Sequence, residues 1–284
     1  MKKIAFLIKS GEKFFLPFNH FRHIKSIRSA SGKEIQADII TLPAASDKFI
    51  ASACQKAKHL GAEMIGFDLN LYPWLQKNTL GIIENLNIPF NDGSIFTSWS
   101  IFEAVYRICK AKEINLMGST VLIFGANKQV AGLCCRKLAD CVNNISVAPS
   151  AEEFKKTAKN ADILINLGTS ENVSFDITAL KERAIVCELY GCGVNPSDKL
   201  LRSDCTFIKT GLIKVPYPKK FCIYNRMPKG IICASLAETM LLAFEEKFAN
   251  YSCAENINPD KLEEIADIAA GCGFEVWLPE APVF

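Results

Sequence analysis

The stretch from Gly118 to Gly132 constrains the fold of this chain more than any other. It reads GSTVLIFGANKQVAG. The apolar, β-branched run from Thr120 to Phe124 is typical of a strand that is buried on both faces. Gly125 interrupts this run, and apolar residues then recur at helical spacing up to Ala139. A buried strand, a glycine turn and a helix in this order predict the first unit of a dinucleotide-binding sheet.

Strand and helix patterns alternate on both sides of that stretch. Strands are expected at 3–8, 37–42, 62–67, 87–91, 119–124, 144–148, 162–165, 184–188, 205–209 and 211–215. Helices are expected at 46–60, 95–112, 127–140, 151–158, 234–249 (strongly amphipathic) and 260–271. The alternation predicts an α/β fold of two domains, in which a Rossmann-like, doubly wound parallel sheet is joined to a smaller α/β domain.

The domain boundaries are expected near residues 94 and 232. Residues 1–94 together with 233–284 are predicted to form the smaller, substrate-side α/β domain, which the C-terminal helices complete. Residues 95–232 are predicted to form the Rossmann-like domain of the dinucleotide-binding type. A cleft between two such domains is the default ligand site.

Composition and charge exclude several classes of function. The formal net charge of +3 is dispersed along the chain, so no nucleic-acid partner is expected. No run approaches the ~18 apolar residues that a membrane span requires. The 12 cysteines contain no C-x-x-C pair, and we interpret most of them as small buried hydrophobic residues. Such use fits the reducing cytoplasm, where we expect the protein to reside.

The histidines offer little evidence for a metal site. His20 and His23 are spaced like a metal-binding pair on a helix, and His59 is the remaining one. Ordinary packing or surface roles are the favoured interpretation, and no metal is expected.

The C-terminal segment resembles a known family. It reads CASLAETMLLAFEEKFANYS, followed by NPDKLEEIADIAAGCGFEVWLP. This is similar to the C-terminus of the long-chain acyl-carrier-protein reductases and of their shikimate dehydrogenase-like bacterial relatives, and the similarity extends back to about residue 60. The resemblance implies a reductase that uses NADP or NAD and acts on an acyl thioester or a small carbonyl compound. Its partner would be a small-molecule or acyl-carrier substrate.

The resemblance also implies where a cofactor would bind. The family loop G-A-T-G-D-I-G corresponds here to GANKQVA, in which only the first glycine stays in register. Lys128 then either supplies a positive charge to a phosphate or is a solvated lysine at a helix start. At the next strand end, Pro149 stands where the family commonly has an arginine for a 2′-phosphate. The implied cofactor-binding residues are Gly125, Ala126, Asn127, Lys128, Gln129, Gly168, Thr169, Tyr190 and Gly191.

The family nucleophile is replaced in this chain. Ser235 stands at the position of the cysteine that takes the acyl group in the family motif A-C-F-A-E. Cys233 precedes it by two residues and is either a substitute nucleophile or a buried thiol. If both residues lie in the helix, they face opposite sides, about 200° apart. Cys233 and Ser235 are the catalytic candidates.

Two functional hypotheses follow. The first is an NAD(P)-dependent oxidoreductase-like protein that resembles the fatty acyl-carrier-protein reductases. The second is a catalytically inactive Rossmann-fold descendant that binds a ligand or a partner. A homodimer is compatible with both. A true shikimate dehydrogenase would need a catalytic Lys–Asp pair and a G-A-G-G-A loop, which we do not find in the sequence.

Overall fold

The structure is a computed structural model of the chain. It describes residues 1–9, 19–72, 74–75, 87–125, 127–168, 176–190, 199–217, 227–252 and 258–279. Contacts divide the chain into two compact units. The first unit comprises Met1–Phe96 and Ile213–Glu275, and the second comprises Thr97–Leu212 and Val276–Phe284. The domain division predicted from the sequence, 1–94 with 233–284 and 95–232, stays a prediction.

Strands and helices alternate through the described residues. The strands are β1 (Lys2–Lys9), β2 (His20–Arg28), β3 (Glu34–Leu42), β4 (Met64–Phe67), β5 (Phe90–Asn91), β6 (Thr120–Phe124), β7 (Asn144–Ala148), β8 (Ile163–Asn166), β9 (Ile185–Leu189), β10 (Thr206–Thr210), β11 (Leu212–Lys214), β12 (Ile231–Cys233) and β13 (Glu275–Val276). The α-helices are α1 (Asp47–His59), α2 (Ser94–Ala111), α3 (Lys128–Leu138), α4 (Ala151–Thr157), α5 (Ala234–Phe244) and α6 (Lys261–Cys272). No helix in these ranges is long and apolar enough to cross a membrane.

The first unit is built on a sheet of order β2-β3-β1-β4-β5. All neighbouring pairs are parallel except β2 with β3, so β2 is an antiparallel edge strand. Ala5 and Leu7 of β1 belong to the apolar cluster that α1 covers. Gly66, in register with Phe6, lies against Thr239 of α5. Because successive strand residues point to opposite faces, α1 and α5 cover opposite faces of this sheet.

Helix α5 differs from its sequence-based prediction. It ends at Phe244, and every one of its residues is buried. The charged residues Glu245, Glu246 and Lys247, which gave the longer segment its amphipathic pattern, follow the helix. Helix α5 is buried around its whole circumference, as expected of a helix in a protein core, and its polar residues Ser235, Glu238 and Thr239 are buried with it.

The second unit is built on a fully parallel sheet of order β10-β9-β8-β6-β7. The chain passes from β6 to β7 on one side and then returns to place β8 on the other side of β6. Strand order therefore reverses between β6 and β8, and ligands of such sheets bind at the carboxyl ends of the strands at this reversal. This topology confirms the predicted α/β class with a doubly wound parallel sheet. Phe124 packs edge-on against Phe154 of α4, with ring centroids 5.1 Å apart, beneath that end of the sheet.

Candidate functional site

Most of the predicted cofactor residues follow strands of the second sheet. We call the ends of β6–β10, with the residues directly after them, the carboxyl edge. Gly125 follows β6, Gly168 lies two residues after the end of β8, and Tyr190 follows β9. The predicted residues Ala126, Thr169 and Gly191 lie outside the part of the chain that the structure describes.

Gly125 and Gly168 are in direct contact across the strand-order reversal. Gly125 has a φ of +130°, and a Cβ atom there would lie 2.2 Å from the Gly168 carbonyl oxygen. Gly168 itself has a φ of +74°, and its amide donates a hydrogen bond to Asn166 Oδ1 (3.0 Å). The need for glycine at 125 is therefore explained by the packing of two loops of the protein, without a ligand.

The start of α3 is fixed by Asn127. Asn127 is buried, and its Oδ1 accepts a hydrogen bond from the Val130 amide (3.0 Å), which is an N-cap interaction. Helix α3, all of whose residues are described, has no acidic residue in its first turn. Lys128 is exposed at the first helical position, and Gln129 is half-buried beside it.

The start of α3 fits a phosphate group. A helix N-terminus carries partial positive charge and favours anions. The cation of Lys128 adds to this charge instead of offsetting it, as an acidic first-turn residue would. An anion at this position would therefore be stabilised by both. These residues suit one phosphate of a dinucleotide. The Gly168 carbonyl group, however, reduces the space through which a pyrophosphate would approach the backbone at Gly125.

The end of β7 contains no group that would select a 2′-phosphate. The Ser150 hydroxyl accepts a hydrogen bond from the Glu153 amide (3.3 Å) and thus caps α4. The first turn of α4 contains Glu152 and Glu153, which are exposed and negatively charged. A dinucleotide with an extra phosphate would meet repulsion here, so the site gives no preference for NADP.

A charged cluster at the carboxyl edge was not predicted. Glu188 of β9 is fully buried, and its Oε2 forms ion pairs with Lys199 Nζ (2.6 Å) and Lys209 Nζ (3.0 Å). Glu188 is in register with Asn166 of β8 and with Lys209 of β10. The sequence signal that could have revealed the cluster is the single acid inside the apolar strand Ile185–Leu189.

Cys233 and Ser235 are adjacent; the expectation that they face opposite sides held only if both lay in the helix, and Cys233 lies outside it. Their Sγ and Oγ atoms are 3.2 Å apart. Cys233 is the extended N-cap residue of α5 (φ −73°, ψ 146°), so only Ser235 has helical geometry and the 100° helical increment does not apply between them.

The surroundings of this pair do not favour nucleophilic chemistry. Both residues are fully buried. Gly93 has a φ of +69°, and a Cβ atom there would lie 2.1 Å from Ser235 Cα, so the Gly93 backbone closes one side of Ser235. A serine hydroxyl needs an adjacent base to act as a nucleophile, and the hydrogen-bond partner that the structure gives to Ser235 is a thiol.

A buried polar cluster lies next to that pair in the first unit. Glu238 Oε2 accepts a hydrogen bond from the Phe96 amide (2.6 Å). Burial, with a smaller contribution from the nearby charge of Asp92, raises the pKa of Glu238 to about 8, although the hydrogen bond from the Phe96 amide opposes this rise. Burial also raises the pKa of Asp92, whose Oδ1 accepts a hydrogen bond from the Ser94 amide (2.9 Å). Ser252 Oγ accepts hydrogen bonds from the Asp92 and Gly93 amides (3.2 and 3.1 Å), which ties the segment after β5 to the C-terminal part of the unit.

His20 and His23 do not form the metal-binding pair that their spacing in the sequence allowed. His20 and His23 lie on the strand β2, where residues three apart point to opposite faces. His23 Nδ1 contacts Asp38 Oδ1 at 2.6 Å, and Lys3 Nζ lies 2.9 Å from Asp38 Oδ2. Within the described ranges, no group of His, Cys, Asp or Glu side chains could hold a metal ion.

Comparison with known proteins does not assign a family. No family model matches the sequence, and the search of curated proteins found no match. Among solved structures, the chain is similar to the bifunctional methylenetetrahydrofolate dehydrogenase/cyclohydrolase from Campylobacter jejuni (14% identity, 74% of this chain and 80% of that chain, TM-score 0.37). It is also similar to the Trypanosoma brucei methylenetetrahydrofolate dehydrogenase-cyclohydrolase complexed with NADP cofactor and inhibitor (12% identity, 95% of this chain and 86% of that chain, TM-score 0.37).

A third similar structure is L-tryptophan dehydrogenase from Nostoc punctiforme (13% identity, 84% of this chain and 68% of that chain, TM-score 0.40). The three are dehydrogenases by name, and none of them is an acyl-carrier-protein reductase. At these identities and TM-scores the similarity places the chain in none of their families.

Proposed function

We propose that the second unit binds NAD or NADP at its carboxyl edge and that the protein is an NAD(P)-dependent oxidoreductase acting on a small carbonyl compound. The observation that carries this proposal is the β6–turn–α3 unit at the reversal of strand order. There the capped N-terminus of α3, Lys128 and the Gly125 turn lie at the position where doubly wound sheets bind nucleotides.

The proposal concerns hydride transfer without a covalent acyl intermediate. The reductases that the C-terminus resembles would need a reactive thiol at position 235, where this chain has a buried serine in contact with Cys233. A fully buried thiol such as that of Cys233 is typically inert. A free carbonyl substrate requires no such nucleophile, so it agrees better with this arrangement than an acyl thioester does.

One observation favours the second hypothesis, a catalytically inactive descendant that binds a ligand or a partner. The Gly168 carbonyl oxygen occupies the space beside Gly125, and it presents an acceptor where a pyrophosphate would also present acceptors. If this contact excludes the dinucleotide, the strand–turn–helix unit is a retained scaffold element.

Isothermal titration calorimetry with NADH and NADPH tests the proposal. We expect a micromolar dissociation constant for NADH and weaker binding of NADPH, whose 2′-phosphate would meet the negative charges of Glu152 and Glu153. Lys128→Ala should weaken binding about tenfold, the loss expected for one charge-assisted contact to phosphate. Lys112→Ala, which removes another exposed lysine of the second unit, is the matched control and should bind like the wild type.

The inactive-descendant hypothesis predicts a different pattern. The wild type would then bind neither dinucleotide, and Lys128→Gly, which brings the loop closer to the family pattern, would restore binding. That pattern would overturn the oxidoreductase proposal.

A further inference from the structure

Glu188, Lys199 and Lys209 form what we call the lysine–glutamate cluster of the second unit. The Glu188 side chain is fully buried, and the side chains of Lys199 and Lys209 are 11% and 26% exposed. Lys199 Nζ also lies 5.1 Å from the ring centroid of Phe207. These lysines are therefore unlike solvated surface lysines.

The cluster has one positive charge more than it has negative charges. Both ammonium groups contact the same oxygen, Oε2, at 2.6 and 3.0 Å, which places them less than about 6 Å apart and makes them repel each other. Within the described ranges, the ion-pair partner of both lysines is Glu188. A surplus charge that is partly removed from water, as in these side chains that are 11% and 26% exposed, is stabilised by a counter-charge.

Neutralising the negative charge of Glu188 does not require two lysines. A buried carboxylate is neutralised by one ammonium group, and a second one creates the surplus. Each ammonium group has three N–H donors, and Glu188 Oε2 takes one from each. The remaining donors and the surplus charge together match one oxyanion, such as a carboxylate or a phosphate.

The cluster lies at the carboxyl edge but away from the Gly125 turn. Strand β9 is separated from β6 by β8, so about 10 Å lies between them across the sheet. Glu188 precedes the last residue of β9 and is in register with Asn166 at the end of β8. A phosphate at the start of α3 would therefore be a different anion from one held by the cluster.

We infer that the lysine–glutamate cluster binds the anionic group of a small-molecule ligand, and that this ligand is the substrate, a carbonyl compound that carries a carboxylate or a phosphate. The first part stands on the charges and contacts of the cluster. That the ligand is the substrate rests on the proposed function, because the proposed function assigns the start of α3 to the cofactor.

Anion binding by charge variants tests the first part. The probes are inorganic phosphate and malonate, measured by calorimetry and by thermal unfolding, with chloride at equal ionic strength as the reference. We expect both probes to bind the wild type. Lys199→Gln and Lys209→Gln should each weaken this binding at least about tenfold, because each removes the surplus charge and a charge-assisted hydrogen bond.

Removing the acid gives the opposite expectation. Glu188→Gln leaves two uncompensated ammonium groups, so phosphate should bind about tenfold tighter or more than to the wild type. Its thermal unfolding temperature should then rise with phosphate more steeply than that of the wild type. Lys181→Gln, which breaks the exposed pair with Asp162 in the same unit, is the matched control and should leave anion binding unchanged.

Several results would overturn the anion site. One is the absence of phosphate and malonate binding to the wild type. Another is binding that both lysine variants retain, since the anion would then be held elsewhere. If Glu188→Gln does not fold, the two single lysine variants, checked by circular dichroism, still decide the question.

NADH binding to Lys209→Gln separates this inference from the proposed function. Wild-type NADH affinity together with lost phosphate binding supports a substrate anion. A parallel loss of both means that the cluster holds a cofactor phosphate and overturns the substrate assignment. Phosphate binding without any NADH binding to the wild type would leave the anion site standing while the proposed function fails.

Discussion

The carbonyl oxygen of Gly168 lies 2.2 Å from the position that a Cβ atom would take at Gly125. Two loops that follow β6 and β8 therefore meet backbone to backbone at the reversal of strand order. In a dinucleotide-binding sheet, this is the region that a pyrophosphate approaches. The same contact thus fixes the local fold and limits the space for a ligand.

Gly125→Ala should destabilise the second unit. The side chain would clash with the Gly168 carbonyl group and would sit at a φ of +130°, where L-residues are strained. We expect a loss of about 2 kcal/mol or more in the free energy of unfolding, measured in urea. Gly132→Ala is the control: it lies inside α3 with open space around it, so alanine should stabilise by about 0.5–1 kcal/mol. Equal changes in the free energy of unfolding for the two substitutions would contradict the close contact between Gly125 and the Gly168 carbonyl group.

The buried Glu238 should make stability depend on pH. Its pKa is about 8 in the folded protein, against 4.5 for the ordinary group, so between these values the folded state binds a proton that the unfolded state has released. Stability contributed by the neutral acid is then fully present below about pH 4.5, falls as the pH rises towards 8, and levels off above it. Asp92, whose pKa burial also raises, acts in the same direction.

Glu238→Gln tests this pH dependence. The amide keeps the shape of the neutral acid, and its oxygen can accept the hydrogen bond from the Phe96 amide. We expect the variant to gain on the order of 1 kcal/mol or more relative to the wild type at pH 8.5, with a flatter dependence of stability on pH between 5 and 8. Glu245→Gln, on the exposed pair with Lys33, should not flatten it. An unchanged slope in Glu238→Gln would assign the dependence to other groups.

Cys233 should not react with an acyl thioester probe in the folded protein. Its Sγ atom is buried against Ser235 Oγ, and thiols in such surroundings are poorly accessible. Cys141, which is half-buried, provides the internal control and should be labelled before Cys233. Mass spectrometry of the labelled, digested protein distinguishes the two sites. Rapid labelling of Cys233 would instead restore the covalent mechanism that the family resemblance implies.

The strands of the parallel sheets could be predicted because burial on both faces leaves continuous apolar runs. The run from Thr120 to Phe124 gave β6, which was predicted at 119–124, to within one residue. By contrast, β2 was not predicted. It is an edge strand whose residues are mostly exposed, and a β-bulge interrupts its pairing between Ile24 and Ile27. Exposed strands carry no apolar alternation that a sequence pattern could reveal.

The contacts of the candidate site could not be predicted because they join residues from different strands and loops. Glu188 meets Lys209 through strand register, which no local pattern encodes. The contact between Cys233 and Ser235 depends on where α5 begins, and helix ends are set by a single residue's backbone angles. The sequence could indicate which residues follow the strands, such as Gly125 and Tyr190. It could not indicate which residues these would contact, because those contacts depend on the three-dimensional fold.

Asn127 offers a way to separate the structural role of the α3 N-terminus from a binding role. Its Oδ1 caps the helix through the Val130 amide, so Asn127→Ala should lower the free energy of unfolding by about 1 kcal/mol. Asn127→Asp keeps a capping oxygen and should stay within about 0.5 kcal/mol of the wild type. The added negative charge, however, would repel a phosphate at the start of α3.

We therefore expect Asn127→Asp to fold normally and to bind NADH at least about tenfold more weakly than the wild type, because like charges would meet at the helix N-terminus. Urea unfolding and calorimetry on the same sample measure the two effects separately. Asn127→Ser, a neutral cap, should preserve both stability and binding. Undiminished NADH binding in Asn127→Asp would mean that the dinucleotide phosphates lie elsewhere, and the start of α3 would then be a helix cap alone.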